Sequence, residues 1–290
     1  MDKGDIAYAL GNPGDWGVIM VPGPTNGTVE HSYEDRVLFS GSLNPGMSGG
    51  PSLNGHGELI GVNVATAGSQ LSFLVPVDKV VRLLARDRYL ELGSYESEIA
   101  RQIKEWQRPR IEGLLSASWK SENFAGRNLF GEIRRDFQCW GGTNESNDER
   151  LIARVSKTCE AGDYVYLGYD LDIGQIRFSF KETKPVKLNQ SQFIRNTGMG
   201  MSADNRAAYK HSTIYQCEEE FLSGNTDASV GYRRIMSCVR AYKNLPGLYD
   251  SLLMVKEFSA SGVFEAHLSL SGMESDQILA LNKRFVEASL

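Results

Sequence analysis

The sequence predicts a mostly β chain with some α, built as two β-rich parts joined by helices. Three observations predict it. Residues 1–76 are short apolar runs separated by Gly, Pro and Asn, and residues 78–106 place apolar side chains three and four positions apart. Residues 111–290 return to β-branched and aromatic runs and close on a last stretch of helical spacing. The expected division is 1–92 for a β unit with its closing helix, 93–110 for a helical connector, and 111–290 for a β-rich α+β accessory domain of unknown role.

Each element has its own signal. Ile6 to Leu10 is an apolar run ended by Gly11-Asn12-Pro13-Gly14, a turn composition. Trp16 to Val21 reads as a second strand stopped by Pro22-Gly23-Pro24, and Arg36 to Ser40 as a third. Leu53 to Val64 reads as a hairpin with its tip at Asn54-Gly55-His56-Gly57, where tight turns need positive φ. Gln70 to Val75 is one more strand, closed by Pro76. Asp78 is placed to cap a helix with Val80, Val81, Leu83 and Leu84 on one face, and Gly93 ends that region. Ile99, Ile103 and Trp106 mark a second helix, which Arg108-Pro109-Arg110 should end because proline lacks the helical N–H. Beyond it, Tyr164 to Leu167 and Ile173 to Phe180 read as strands, and Leu252 to Phe258 and Val263 to Leu270 as a pair joined at Ser259 to Gly262. Ile278, Leu281 and Phe285 give Asp276 to Ala288 one helical face.

Composition excludes several classes. Apolar content of 41% and charge content of 23% are those of a globular protein, and 290 residues suffice for two cores. A net charge of -5 argues against a nucleic-acid partner, which needs a basic surface. No apolar run approaches the ~18 residues of a membrane span. Cys139, Cys159, Cys217 and Cys238 fall as two pairs of similar spacing without any CxxC pattern. Four buried thiols and two disulfides both fit, and the paired spacing favours disulfides.

The stretch with chemical character is Asn44-Pro45-Gly46-Met47-Ser48-Gly49-Gly50-Pro51. A nucleophilic serine needs an exposed hydroxyl, a base, and donors for the oxyanion. Glycines around Ser48 supply the first and the last, since they keep side chains away from an incoming carbonyl and let backbone amides converge. The letters also satisfy the GxSxG elbow of α/β-hydrolases, but that motif requires a helix after the serine, and here a hairpin follows.

In its order of elements this region resembles the C-terminal barrel of trypsin-like (chymotrypsin-fold) serine proteases, within them the Deg/HtrA branch. The resemblance rests on Met47 to Pro51, Gly57 to Asn63, Phe73 to Pro76 and Ala9 to Gly14, and spans roughly residues 4–90. It implies half of a double β-barrel, Ser48 as nucleophile, and the amides of Gly46 and Ser48 as the oxyanion donors. It further implies Ser42 at the base of the specificity pocket, Val64-Ala65-Thr66 as the substrate-pairing strand, and Phe73 on the neighbouring strand. An uncharged Ser42 points to a modest apolar residue before the scissile bond. No cofactor or metal is expected.

That family draws its histidine and aspartate from a first barrel upstream of the serine. His31 alone precedes Ser48, with the wrong spacing for the base, while His56 sits at a hairpin tip and His211 and His267 lie in the second part. The expectation is a serine endopeptidase present as a fragment without that first barrel, inactive or nearly so alone, with an apolar seam that invites self-association into a homo-oligomer. Its partners would be peptide or unfolded protein and the missing barrel, and its compartment periplasmic or secreted. The competing reading is a non-catalytic module that binds peptides or a partner chain. In 111–290, Asp170 and Asp172 would share one strand face but lack a calcium-loop pattern. Glu218-Glu219-Glu220 reads as a solvated run, and Tyr164, Tyr166, Tyr169, Phe178 and Phe180 as core.

Overall fold

The computed structural model describes residues 2–30, 32–85, 94–145, 149–168, 170–198, 200–204, 210–223 and 230–289. The chain divides into two compact units, Met1–Glu91 and Leu92–Leu290. The expected boundary at Gly93 and the position of His31 and Tyr169 lie outside the described residues.

The first unit is a closed six-stranded antiparallel barrel. Its strands are β1 (Ile6–Gly11), β2 (Ile19–Thr28), β3 (Val37–Phe39), β4 (Pro51–Leu53), β5 (Leu59–Gly68) and β6 (Leu71–Pro76), in the order β1-β2-β3-β6-β5-β4. Pairing of Tyr8 with Leu53 and Ala9 with Ser52 brings β4 back onto β1 and closes it. The interior is filled by Ala7, Ala9, Phe39, Leu43, Met47 and Leu74. Small alanines on β1 leave room for Phe39 and Met47, and each such large apolar side chain contributes about 1.5–3 kcal/mol by leaving water.

Two expectations for this unit are corrected. The second strand does not stop at Pro22-Gly23-Pro24 but runs through it to Thr28, with Pro22 opposite Tyr8 and Pro24 opposite Ile6. Over this stretch β2 pairs with β1 alone, so an N–H missing from its other side costs no ladder bond, and Pro24 still accepts from the Ser40 amide at 2.9 Å. The closing helix α1 (Val77–Leu84) has Pro76 as its N-cap; Asp78 lies in the first turn and pairs with Arg82 at 2.5 Å. No α1 residue is fully buried: Val77 and Val80 are half-buried against the barrel, while Val81, Leu83 and Leu84 are exposed. Trp16, Val18 and Met20 are likewise exposed.

The second unit opens with α2 (Tyr95–Ser116), which contains Pro109 rather than ending there. Pro109 and Glu105, whose carbonyl loses a partner, both face solvent, while Ile103, Gln107, Arg110, Ile111 and Leu114 are buried. Burial of that face outweighs the local penalty of the proline. Two hairpins are small: β7 (Ser121–Phe124) with β8 (Arg127–Phe130), and β11 (Val165–Gly168) with β12 (Leu171–Ile173). The main sheet holds β9 (Phe137–Thr143), β10 (Ile152–Ala161), β13 (Ile176–Pro185), β14 (Gln216–Ser223), β15 (Val230–Ala241), β16 (Tyr249–Ser259) and β17 (Val263–Met273). Its order is β14-β15-β16-β17-β13-β10-β9, antiparallel throughout.

Alternation along these strands sends Phe178, Phe180, Leu253, Val255, Phe264 and Leu268 to one face, where α2 and α4 (Ser275–Ser289) cover them. Ile278, Leu281 and Phe285 of α4 are buried there as their spacing predicts, and Phe285 stacks on Phe180 at 5.9 Å. The opposite face is partly covered by α3 (Gln190–Thr197), through Phe193 against Phe258 and Val263. Disulfides Cys139–Cys159 and Cys217–Cys238 tie β9 to β10 and β14 to β15, the outermost pairs at the two edges. Of the aromatics expected in the core, Phe178 and Phe180 are there, while Tyr164 and Tyr166 are exposed on the small hairpin region.

Candidate functional site

The loop before β4 is pinned through Met47, Gly49 and Gly50 and open at Gly46 and Ser48. Met47 is fully buried among Ala7, Ala9, Phe39, Leu43 and Leu74, although its neighbours Gly46 and Ser48 are exposed. The Met47 amide donates to Asn44 O at 3.0 Å, the Gly49 amide to Asn63 O at 2.8 Å, and the Gly50 amide to Met47 O at 3.1 Å. The amides of Gly46 and Ser48 donate to no acceptor among the described residues. Gly46 has φ +96°, and a Cβ there would meet Asn12 O at 2.8 Å, so both conformation and space demand glycine. The result is two unengaged N–H groups flanking a buried side chain, next to an exposed hydroxyl. Ser48 Oγ donates to Val64 O at 3.4 Å.

The loop is held from beneath by Asn63 of β5, which is 1% exposed. Its Nδ2 donates to Leu10 O at 2.8 Å and to Met47 O at 3.1 Å, and its Oδ1 accepts from the buried Ser52 hydroxyl at 2.7 Å. Its own amide donates to Gly50 O at 2.9 Å. Sequence reasoning passed over Asn63. The signal was a polar residue at an inward position of the alternating run Leu59 to Val64, where Gly61 and Asn63 are the buried members.

Val64, Ala65 and Thr66 follow on β5 and are all exposed, and the Ser48 hydroxyl reaches the carbonyl of the first of them. Phe73 of β6 stands opposite Ala65 and is half-buried. Thr66 turns its hydroxyl inward on its own hairpin, donating to Gly68 O at 2.9 Å. Ser42 is exposed in a segment fixed by Ser72, whose hydroxyl donates to Gly41 O at 2.7 Å and accepts from Leu43 N. His56 sits at the tip of the β4–β5 hairpin, exposed, its amide donating to Asn54 Oδ1 at 2.9 Å. No imidazole is bonded to Ser48 Oγ among the described residues.

In the second unit, Asp170 occupies a turn at φ +62° just before β12, so it does not share a strand face with Asp172. Among the described residues, no three His, Cys, Asp or Glu groups are grouped to hold a metal. Asp250, 2% exposed, accepts from Arg240 Nε at 2.7 Å, Tyr242 Oη at 2.6 Å and the Gly272 amide at 3.0 Å. Burial, reinforced by Asp250, pushes the Tyr215 phenol up to about 12 and the Tyr242 phenol higher still.

Against known proteins, residues 1–62 match the model of the trypsin-like peptidase domain. Protease Do-like 1, chloroplastic, of Arabidopsis thaliana is 32% identical over 189 residues, covering 56% of this chain and 42% of the relative. A probable periplasmic serine endoprotease DegP-like of Chlamydia pneumoniae is 29% identical over 129 residues, 42% of this chain and 26% of the relative. The chain thus spans less than half the length of these curated relatives. Among solved structures, the HtrA-type protease AlgW with decapeptide matches at 28% identity over 29% of each chain, with a TM-score of 0.28. The serine endoprotease from Yersinia pestis matches at 27% identity over 29% of this chain and 30% of that one, with a TM-score of 0.27. In sequence this chain is similar to trypsin-like serine proteases of the Deg/HtrA kind, with residues 1–62 carrying the family match, and its fold is mostly β with a closed barrel.

Proposed function

We propose that the first unit supplies the nucleophile, the oxyanion donors and the substrate strand of a serine endopeptidase. Ser48 Oγ, giving its proton to the histidine of a partner barrel, attacks a peptide carbonyl, and the oxyanion accepts from the Gly46 and Ser48 amides. Collapse breaks the C–N bond, the amine leaves with that proton, and water then hydrolyses the acyl-enzyme to a carboxylate and free Ser48. An extended peptide or unfolded protein segment lies along Val64, Ala65 and Thr66, with a modest apolar side chain directed past Ser42 and Phe73. The histidine and aspartate come from a partner barrel, and the exposed Trp16, Val18 and Met20 support a surface that receives protein, whether that barrel or a second copy. The periplasmic relative, together with two disulfides, supports a periplasmic or secreted setting. The observation that carries the reading is the pair of unengaged amides at 46 and 48 beside an exposed hydroxyl.

The test is fluorophosphonate labelling of the chain, mapped by mass spectrometry. Expected is slow modification at Ser48, because a serine without its base keeps only what donors and binding provide, about 10³–10⁴ over water. Ser48→Ala should abolish it. Rapid stoichiometric labelling would place a base within this chain, and labelling no greater at Ser48 than at other exposed serines would remove the nucleophile itself.

A further inference from the structure

We infer that Asn63 is the positioning residue that aims the Ser48 amide, and so sets the oxyanion site; the inference rests on the nucleophile reading above. A trans peptide is planar, with its N–H opposite its carbonyl, and there is no cis bond among the described residues. Whatever holds the Met47 carbonyl therefore dictates where the Ser48 N–H points. Two donors converge on that carbonyl: the Gly50 amide at 3.1 Å and Asn63 Nδ2 at 3.1 Å. The same Nδ2 group donates to Leu10 O at 2.8 Å, which ties the loop to β1. The amide is itself locked the right way round, because Ser52 Oγ donates to Oδ1 at 2.7 Å and both side chains are buried.

The backbone of Asn63 reinforces this. Its carbonyl takes the Gly49 N–H and its amide donates to Gly50 O, so the plane on each side of Ser48 is referred to one residue. The residue after Asn63 is Val64, whose carbonyl receives the Ser48 hydroxyl. Asn63 therefore fixes the donor, the hydroxyl's neighbour and the start of the substrate strand in a single frame. Packing alone cannot do this: Met47's side chain anchors its Cα in the core, but rotation of the Met47–Ser48 peptide plane leaves that side chain in place. Without Nδ2, the Gly50 amide is the one donor left on the Met47 carbonyl among the described residues.

Asn63→Asp keeps the volume and the Ser52 bond but removes both donated hydrogen bonds. The probes are a short peptide boronic acid with a small apolar terminal side chain, which forms a tetrahedral adduct on serine, and the same peptide as a carboxamide, which does not. By calorimetric titration of the full chain, Asn63→Asp should weaken the boronate by about 10–100-fold, less than the ~10²–10³ of an oxyanion donor removed outright because the Ser48 amide is mis-aimed and not lost. The carboxamide should change by no more than about twofold, since it makes no demand on the oxyanion site. Boronate binding that survives Ser48→Ala in the unsubstituted background, or is absent there, overturns the nucleophile reading and this inference with it. Ser48-dependent binding that Asn63→Asp leaves intact overturns the inference alone, as does equal weakening of both probes, which would mark a purely structural role. Should Asn63→Asp not fold, two measurements decide. A scalar coupling from Asn63 Nδ2 to the Met47 carbonyl carbon should be observed by NMR in the unsubstituted chain, and Ser52→Ala should weaken the boronate in preference to the carboxamide. Lack of either result overturns the inference.

Discussion

Gly50 and Gly55 differ in a way that composition does not reveal. A Cβ on Gly50 would sit 2.1 Å from Leu10 O and 3.0 Å from Met47 O, whereas one on Gly55 meets nothing within 4 Å. Backbone carbonyls cannot swing aside, so Gly50→Ala must push the Gly46–Gly50 loop off β1, at a cost of about 3 kcal/mol. Gly55→Ala should stay within about 0.5 kcal/mol, as an exposed change touching nothing. Urea unfolding followed by hydrogen exchange in the barrel peptides reads both, and equal effects would show that the loop is not pressed against Leu10. The glycines themselves were legible in the sequence because this tight loop concentrates its backbone demands in consecutive letters. Asn63 was not, since its partners Leu10 and Met47 lie 53 and 16 positions away and only the closed barrel brings them to it.

Elements show where local rules lose to tertiary ones. Pro22, Pro24 and Pro109 each announce a stop, yet β2 and α2 continue through them because the lost N–H falls on an unpaired or solvent side. Regular alternation and helical spacing fared better: the β16–β17 hairpin and α4 match the runs that announced them. The β17 strand also carries a titration. His267 lies between Ser179 of β13 and Met254 of β16, on the face that carries Glu265, Lys181 and Lys256. Burial lowers its pKa from 6.5; Glu265 opposes this, and the two lysines add to it. The unfolded chain therefore binds a proton below about pH 6.5 that the folded sheet refuses, and stability falls as pH drops through that range. Glu265 acts later: burial raises its pKa, but Lys181 and then Lys256 outweigh that and hold it below 4.5. Between pH 7 and 5.5, His267→Gln should flatten the fall in the urea midpoint of the second unit. An unchanged slope would mean that His267 is protonated in the fold as readily as in the unfolded chain.

At the scale of the whole molecule, the two units divide the covalent reinforcement unequally. All four cysteines lie in residues 92–290, and both disulfides are there. Each joins directly opposed residues of neighbouring strands, Cys139 with Cys159 and Cys217 with Cys238, at Cα separations of 4.1 and 4.0 Å. They close 20- and 21-residue separations, for which chain entropy gives about 3 kcal/mol each. The positions matter as much as the count. A sheet's outermost strands have one neighbour and are the first to fray, and these bonds hold β9 and β14 to theirs. Between the two stapled pairs stand β16, β17 and β13, so neither bond shares a partner with the other and their contributions should add. Reduction should therefore lower the stability of the second unit by about 6 kcal/mol while the barrel is untouched. The single pairs Cys139→Ser/Cys159→Ser and Cys217→Ser/Cys238→Ser should each account for about half. Hydrogen exchange read peptide by peptide, with and without reductant, separates the units. Loss of protection in the barrel on reduction would show that the two fold as one cooperative body. A double loss far from the sum of the single ones would show that the edges communicate through the sheet between them.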